Sequence, residues 1–71
     1  MEAMGADDDF RAHVLDVSHD LRTPLNAIVG FAQLLQLEKL SLVQANWVNE
    51  IIAAGRTLDE RLTALVEQAE R

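Results

Sequence analysis

The sequence predicts an all-α fold, an antiparallel two-helix hairpin that homodimerises into a four-helix bundle. Two segments carry apolar residues at steps of three and four, which places those residues on one face of an α-helix. Their connection is short, as between antiparallel helices. Two helices alone bury too little apolar surface to offset the conformational entropy lost on folding, and the chain has no cysteine to form a stabilising disulfide. A stable fold is therefore expected to need a second copy.

The first helix is predicted over about residues 8–37, within one domain that covers residues 7–71. Residues 1–6 lack periodicity and are predicted to be disordered, a linker or a tag. Pro24 lies inside the helix, and we expect a bend there because proline removes a backbone hydrogen bond. The apolar stripe of this helix consists of Phe10, Val14, Val17, Leu21, Leu25, Ile28, Ala32 and Leu35.

The second helix is predicted over about residues 42–70, after a connection at residues 38–40. Ser41, followed three residues later by Gln44, fits a capping box at its start. Gly55 interrupts the helical pattern at a cost of about 1 kcal/mol against alanine, which indicates close packing or a partner contact. The stripe of this helix consists of Val43, Trp47, Ile51, Ala54, Leu58, Leu62, Leu65 and Ala69.

The composition argues against two classes of function. The formal net charge is −6, and nucleic-acid binding would need a stripe of lysine and arginine. No apolar run approaches the roughly 20 residues that cross a bilayer. We therefore expect no nucleic-acid partner and no direct membrane insertion by these residues. The acidic run at residues 7–9 is expected to oppose the dipole at the helix start.

One histidine stands out by its position on the first helix. At roughly 100° per residue, His19 falls on the face opposite the apolar stripe, and Thr23, Asn26 and Gly30 follow it along that face. A histidine placed there is accessible to a large partner. His13 lies six residues earlier and does not share this face, so a metal site formed by the two histidines is not expected.

Residues 18–31 read Ser-His-Asp-Leu-Arg-Thr-Pro-Leu-Asn-Ala-Ile-Val-Gly-Phe. This stretch resembles the H-box of sensor histidine kinases, in the dimerisation and histidine-phosphotransfer domain of two-component signalling proteins. The resemblance implies that His19 is the phosphoacceptor. A neutral imidazole has a ring nitrogen that can attack phosphorus. Asp20 would accept a hydrogen bond from the other ring nitrogen as general base and orienter, which requires suitable rotamers of both side chains.

The resemblance also implies roles for three neighbouring residues. Thr23 would position a water for dephosphorylation of the partner, with an ordinary surface threonine as the alternative. Asn26 is similar to the family's polar residue near the nucleotide and the γ-phosphate. Arg22 could contact phosphate, or could have a structural or interfacial role instead.

The chain has no glycine-rich phosphate loop, so we expect it to bind no cofactor itself. The resemblance implies a protein-histidine kinase whose separate ATP-binding domain is absent here, so that this chain alone is inactive. ATP and Mg²⁺ would be used through that domain and through the partner receiver domain of a response regulator. The expected location is cytoplasmic. The alternatives are a phosphorelay histidine phosphotransfer protein and a non-catalytic helical dimerisation module.

Overall fold

The computed structural model describes the backbone of residues 2–70 and the side chains of residues 8–70. Two helices, α1 (Glu2–Leu35) and α2 (Leu42–Glu70), are joined by residues 36–41 and pack along each other. The contacting pairs Gln36–Asn49, Val29–Gly55 and Arg22–Thr63 run in opposite directions along the two helices. The helices are therefore antiparallel, which confirms the predicted all-α hairpin. It measures 60 × 15 × 12 Å.

The N-terminal bound of α1 differs from the prediction. The helix begins at Glu2 rather than at about residue 8. Glutamate, alanine and methionine are strong helix formers, and they outweigh the cost of Gly5 in this stretch. Asp8 and Asp9 consequently lie inside α1 and not at its start, so the expected interaction with the helix terminus is wrong for these two residues. The side chain of Asp7 lies outside the described set.

At its other end α1 stops at Leu35, two residues before the predicted bound of about 37. The last turn tightens, because the amide of Gln36 donates to the carbonyls of both Ala32 (3.3 Å) and Gln33 (3.2 Å). Two further bonds then span only three residues each, from Leu37 to Leu34 and from Glu38 to Leu35, both at 3.0 Å. Such short-range bonds satisfy the terminal carbonyls and end the helix. α1 continues through Pro24 without interruption.

The start of α2 matches the predicted capping box. The Gln44 amide donates to Ser41 Oγ at 3.1 Å, and the Ser41 amide donates to Gln44 Oε1 at 2.9 Å. The two side chains thus satisfy two amides that the helix start would leave unpaired. These bonds set the first residue of α2 at Leu42.

The hairpin core is narrower than the two predicted stripes. Its buried apolar side chains are Leu25, Ala32, Val48, Ile52 and Leu62. Leu40 of the connection packs against this core. Leu25 and Ala32 belong to the predicted stripe of α1, whereas on α2 only Leu62 does. The two helices therefore meet along one edge of the α1 stripe and along a neighbouring face of α2.

Most of the remaining stripe residues stay exposed in a single hairpin, whereas Val14 and Ala69 are half-buried. On α1 the exposed apolar residues include Val17, Leu21, Ile28 and Leu35, and on α2 they include Val43, Trp47, Ile51, Leu58 and Leu65. Because each set recurs at steps of three, four or seven residues, each forms a line along its helix beside the hairpin core. We refer to these nine residues as the open apolar face.

Gly55 marks the closest approach of the two helices. It is buried, and a Cβ placed on it would overlap the Cγ2 methyl of Val29. The close packing predicted from this glycine is confirmed. Gly30 differs, because a Cβ there would meet no heavy atom within 4 Å apart from the adjoining turns of α1 itself. Within residues 2–70, neither helix has a stretch long and apolar enough to cross a membrane.

Candidate functional site

His19 lies on the exposed side of α1, directly after a buried residue. Ser18 is 1% exposed, whereas His19 is exposed, since successive helical residues differ in direction by roughly 100°. Thr23 and Asn26 are also exposed and follow His19 at the next two turns. The helix therefore presents three of the four predicted site residues in one accessible row, where a large partner can reach them.

Asp20 is exposed next to His19. Among the side chains of residues 8–70, no hydrogen bond joins the Asp20 carboxylate to the imidazole. Adjacent helical side chains diverge, so the predicted contact needs a rotamer change in one or both residues. The orienting role of Asp20 stays a prediction.

Arg22 has a structural role that joins α1 to α2. Its Nη2 donates to Thr63 Oγ1 at 2.6 Å, and its Nη1 lies 3.4 Å from Asp59 Oδ1. The Arg22 side chain is 35% exposed and that of Asp59 is 51% exposed. An ion pair with this much exposure contributes at most about 1 kcal/mol to folding. Its main effect is to fix where the guanidinium lies.

His19 and Arg22 line the same recess. This cavity, of about 360 Å³, is formed by Leu15, Ser18, His19 and Arg22 of α1 together with Val66 of α2. The sequence predicted His19 opposite the centre of the apolar stripe. Because α2 packs on one edge of that stripe, the histidine lies beside the groove between the helices. A nucleophilic imidazole and a fixed guanidinium therefore share one concave surface.

Ser18 contributes an unusual polar group to this region. Its Oγ is buried and makes no hydrogen bond to any described residue. A buried hydroxyl without a partner is unfavourable, and most such groups in proteins are paired. From the sequence, Ser18 was predicted only as part of the motif, with no separate role.

The contribution of α2 to the site was not predicted from the sequence. Asp59, Thr63 and Val66 were not singled out, because the predicted stripe of α2 lies on the neighbouring face. A signal was available in Gly55, whose small size marks the side of α2 that α1 approaches. Asp59 and Val66 recur from Gly55 at helical steps of four and eleven, and Thr63 follows Asp59 by four.

Chemically, the arrangement supplies an accessible nucleophile at His19, a neighbouring carboxylate at Asp20 and a nearby cation at Arg22. An imidazole, a carboxylate and a guanidinium are suited to accept a phosphoryl group, take up a proton and neutralise anionic oxygens, respectively.

Comparison with known families agrees with this geometry. Residues 11–70 match the family described as the "His Kinase A (phospho-acceptor) domain". The matched region contains His19, its polar row and the packed part of both helices. The chain belongs to this family, as the H-box resemblance predicted, and it is a phosphoacceptor and dimerisation domain of the histidine kinase type.

Individual relatives are histidine kinases of plants. The chain is 34% identical over 53 residues to "Probable histidine kinase 3" of Oryza sativa subsp. japonica, a match that covers 75% of this chain and 5% of the relative. It is 32% identical over 53 residues to "Histidine kinase 3" of Arabidopsis thaliana, again over 75% of this chain and 5% of the relative. The match thus spans a small part of each relative's length. No solved structure matches the chain.

Proposed function

We propose that this chain carries the phosphoryl group of a sensor histidine kinase on His19 and passes it to the receiver domain of a response regulator. The observation that carries the proposal is the placement of His19. It is exposed on a continuous helix, inside the matched phosphoacceptor region, and heads the polar row formed with Thr23 and Asn26. Partner domains can reach this row without unfolding either helix.

The first transfer needs an ATP-binding domain supplied separately. A ring nitrogen of His19 attacks the γ-phosphorus of ATP, a new N–P bond forms, and the bond between the γ-phosphorus and the bridging oxygen breaks. ADP leaves with that oxygen, and the proton of the other ring nitrogen passes to the Asp20 carboxylate. Asn26 lies on the same face, where it would contact the nucleotide or the γ-phosphate.

The second transfer uses the same row of residues. An aspartate of the receiver attacks the phosphorus, an O–P bond forms, and the N–P bond to His19 breaks as the imidazole takes up a proton from water. Mg²⁺ held by the receiver neutralises the transferring oxygens. In the opposing phosphatase reaction, Thr23 would position a water that hydrolyses the phosphorylated aspartate of the receiver. ATP and Mg²⁺ thus act through the two partners, and this chain holds neither.

The open apolar face supports homodimerisation. Exposed large apolar side chains in a continuous patch mark an interaction site. Two copies related by a two-fold axis would bring the same face of each hairpin together in a four-helix bundle. The row headed by His19 lies on a different side of α1 and would stay accessible in that dimer.

The proposal is tested by incubating the chain with a histidine-kinase ATP-binding domain and γ-labelled ATP. We expect acid-labile label on the wild-type chain and on His13→Gln, which removes the other exposed histidine. His19→Gln should accept no label. Equal labelling of His19→Gln and wild type would contradict the proposal.

Two alternatives predict other outcomes of the same assay. A phosphorelay protein would be labelled only by a phosphorylated receiver. A non-catalytic dimerisation module would be labelled by neither donor, although folded and dimeric. The polar row at His19 favours phosphoryl transfer over the second alternative.

A further inference from the structure

The recess beside His19 contains a cation whose position depends on α2. Arg22 belongs to the same helix as His19, but its guanidinium is bound across the groove by Thr63 and Asp59. The Thr63 contact is a short hydrogen bond of 2.6 Å, whereas the nearest distance to Asp59 is 3.4 Å. Of the two contacts, the one to Thr63 therefore restricts the guanidinium more closely.

The cation and the imidazole of His19 belong to one recess. Residues three apart on a helix have Cβ atoms about 5–6 Å from each other, which applies to His19 and Arg22. Both side chains also line the 360 Å³ recess. A guanidinium has five N–H donors, and the two contacts on α2 engage only one nitrogen each. Further donors remain for an anion in the recess.

A phosphoryl group on His19 would supply that anion. It carries a charge between about −1.5 and −2 near neutral pH and has three acceptor oxygens. Arginine matches such oxygens because its donors form a planar fork. A guanidinium fixed at the recess would interact with these oxygens at a smaller entropic cost than an unrestrained side chain.

We propose that Thr63 is a positioning residue of the phosphoacceptor site: it holds Arg22 where the guanidinium contacts the phosphoryl oxygens on His19. This rests on the proposed role of His19 as phosphoacceptor. The proposal extends the site from α1 to α2, so the spacing of the two helices at Thr63 sets the distance between the cation and the phosphoryl group.

A small phosphodonor tests this without any kinase domain. Phosphoramidate transfers its phosphoryl group to imidazole: its P–N bond breaks, ammonia leaves, a new P–N bond forms at the ring, and the N–H proton of the ring passes to water. The donor needs no docking surface, so its rate reports on the immediate surroundings of each histidine. His13 is exposed on the same helix and serves as the reference within every sample.

The measurement is the ratio of the initial phosphorylation rates of His19 and His13, obtained by ³¹P NMR or by mass spectrometry of peptides. Arg22→Gln should lower this ratio about three- to fivefold, the size of a single charge effect at this range near water. Thr63→Val keeps the shape and removes the acceptor oxygen, and should lower the ratio about twofold. Thr63→Ser keeps the hydroxyl and should restore the wild-type ratio.

The matched variants separate positioning from general stability. If Thr63 only stabilised the hairpin, Thr63→Val would lower the melting temperature and leave the His19 to His13 ratio unchanged, which would overturn the proposal. A ratio unaffected by Arg22→Gln, or one that Thr63→Ser fails to restore, would also overturn it.

The result is independent of the assay with the ATP-binding domain. A low ratio for Thr63→Val, restored by serine, would support positioning even if that domain failed to label His19. Conversely, labelling of His19 from ATP together with identical ratios in all variants would keep the proposed function and remove the role of Thr63.

Discussion

At the scale of single residues, Ser18 and His19 are adjacent in sequence and opposite in environment. One is buried with its hydroxyl unpaired among the described residues, and the other is exposed. This contrast arises from the helix, which turns each successive side chain by roughly 100°. The buried position carries an energetic cost and the exposed one carries the proposed chemistry, so substitutions at the two positions should have separable effects.

We expect Ser18→Ala to stabilise the protein. The substitution removes a buried hydroxyl whose desolvation is not compensated by a hydrogen bond, a gain of about 1 kcal/mol. The free energy of unfolding, measured by denaturant titration at one protein concentration, should rise accordingly.

Ser41→Ala is the matched control, because it removes the same hydroxyl from a position where it accepts a hydrogen bond from the Gln44 amide. Loss of this N-cap should lower the free energy of unfolding by about 1 kcal/mol. If Ser18→Ala also destabilised the protein by that amount, its hydroxyl would have a partner and its assignment as unpaired would be wrong.

At the scale of elements, Gly30 and Gly55 provide a test of how closely α1 and α2 pack. Gly55→Ala should destabilise the hairpin, since the added methyl overlaps Val29. Overpacking of this kind costs about 1–3 kcal/mol, and severe overlap should exceed the gain of about 1 kcal/mol in helix propensity. Thermal unfolding followed by circular dichroism measures the difference.

Gly30→Ala adds the same methyl where no atom lies within 4 Å apart from the adjoining turns of α1 itself. This substitution should gain only the higher helix propensity of alanine over glycine, and it should therefore raise the melting temperature. Equal stabilisation by both substitutions would show that the helices separate enough at Gly55 to admit a side chain.

The helices themselves were largely predictable from the sequence. Period and capping chemistry act within a few residues, so Ser41 and Gln44 were sufficient to set the start of α2. The N-terminal bound of α1 was harder to predict. Residues 2–6 combine strong helix formers with a glycine, and they show no apolar period to indicate that the helix extends to Glu2.

The contact between helices was less predictable, since each helix has two apolar edges and the sequence does not say which faces its neighbour. Leu62 belongs to the predicted stripe of α2 and is buried in the core. Val48 and Ile52 are also buried in the core, but they lie outside that stripe and were not predicted. The same ambiguity concealed Thr63 and Asp59. The row at His19, by contrast, depends only on helical geometry and was predicted correctly as exposed.

At the scale of the whole molecule, a single hairpin leaves large apolar side chains in water, and we expect it to pair with a second copy. Trp47 is 62% exposed and Leu58 is 47% exposed, and both lie on the open apolar face. Burial of apolar surface is the main favourable term in association. Since obligate dimers couple folding to assembly, the melting temperature should rise with protein concentration.

Leu58→Glu tests this assembly. In a bundle the substitution would bury an unpaired carboxylate twice, once in each copy, a change that breaks such interfaces. Analytical ultracentrifugation should show a dimer for wild type and a monomeric, largely unfolded chain for Leu58→Glu. Gln33→Glu adds the same charge to an exposed site on the side of α1 that carries His19, and it should remain dimeric.

The oligomeric state also bears on whether His19 can be phosphorylated in both copies. A dimer formed through the open apolar face leaves the His19 row of each copy accessible, so each copy could be phosphorylated. Gln33→Glu should therefore retain labelling. Leu58→Glu should lose labelling because it loses its fold. A wild-type chain that sediments as a folded monomer, with a melting temperature independent of concentration, would instead show that the hairpin is stable with this face in water. The open apolar face would then be assigned to a different partner.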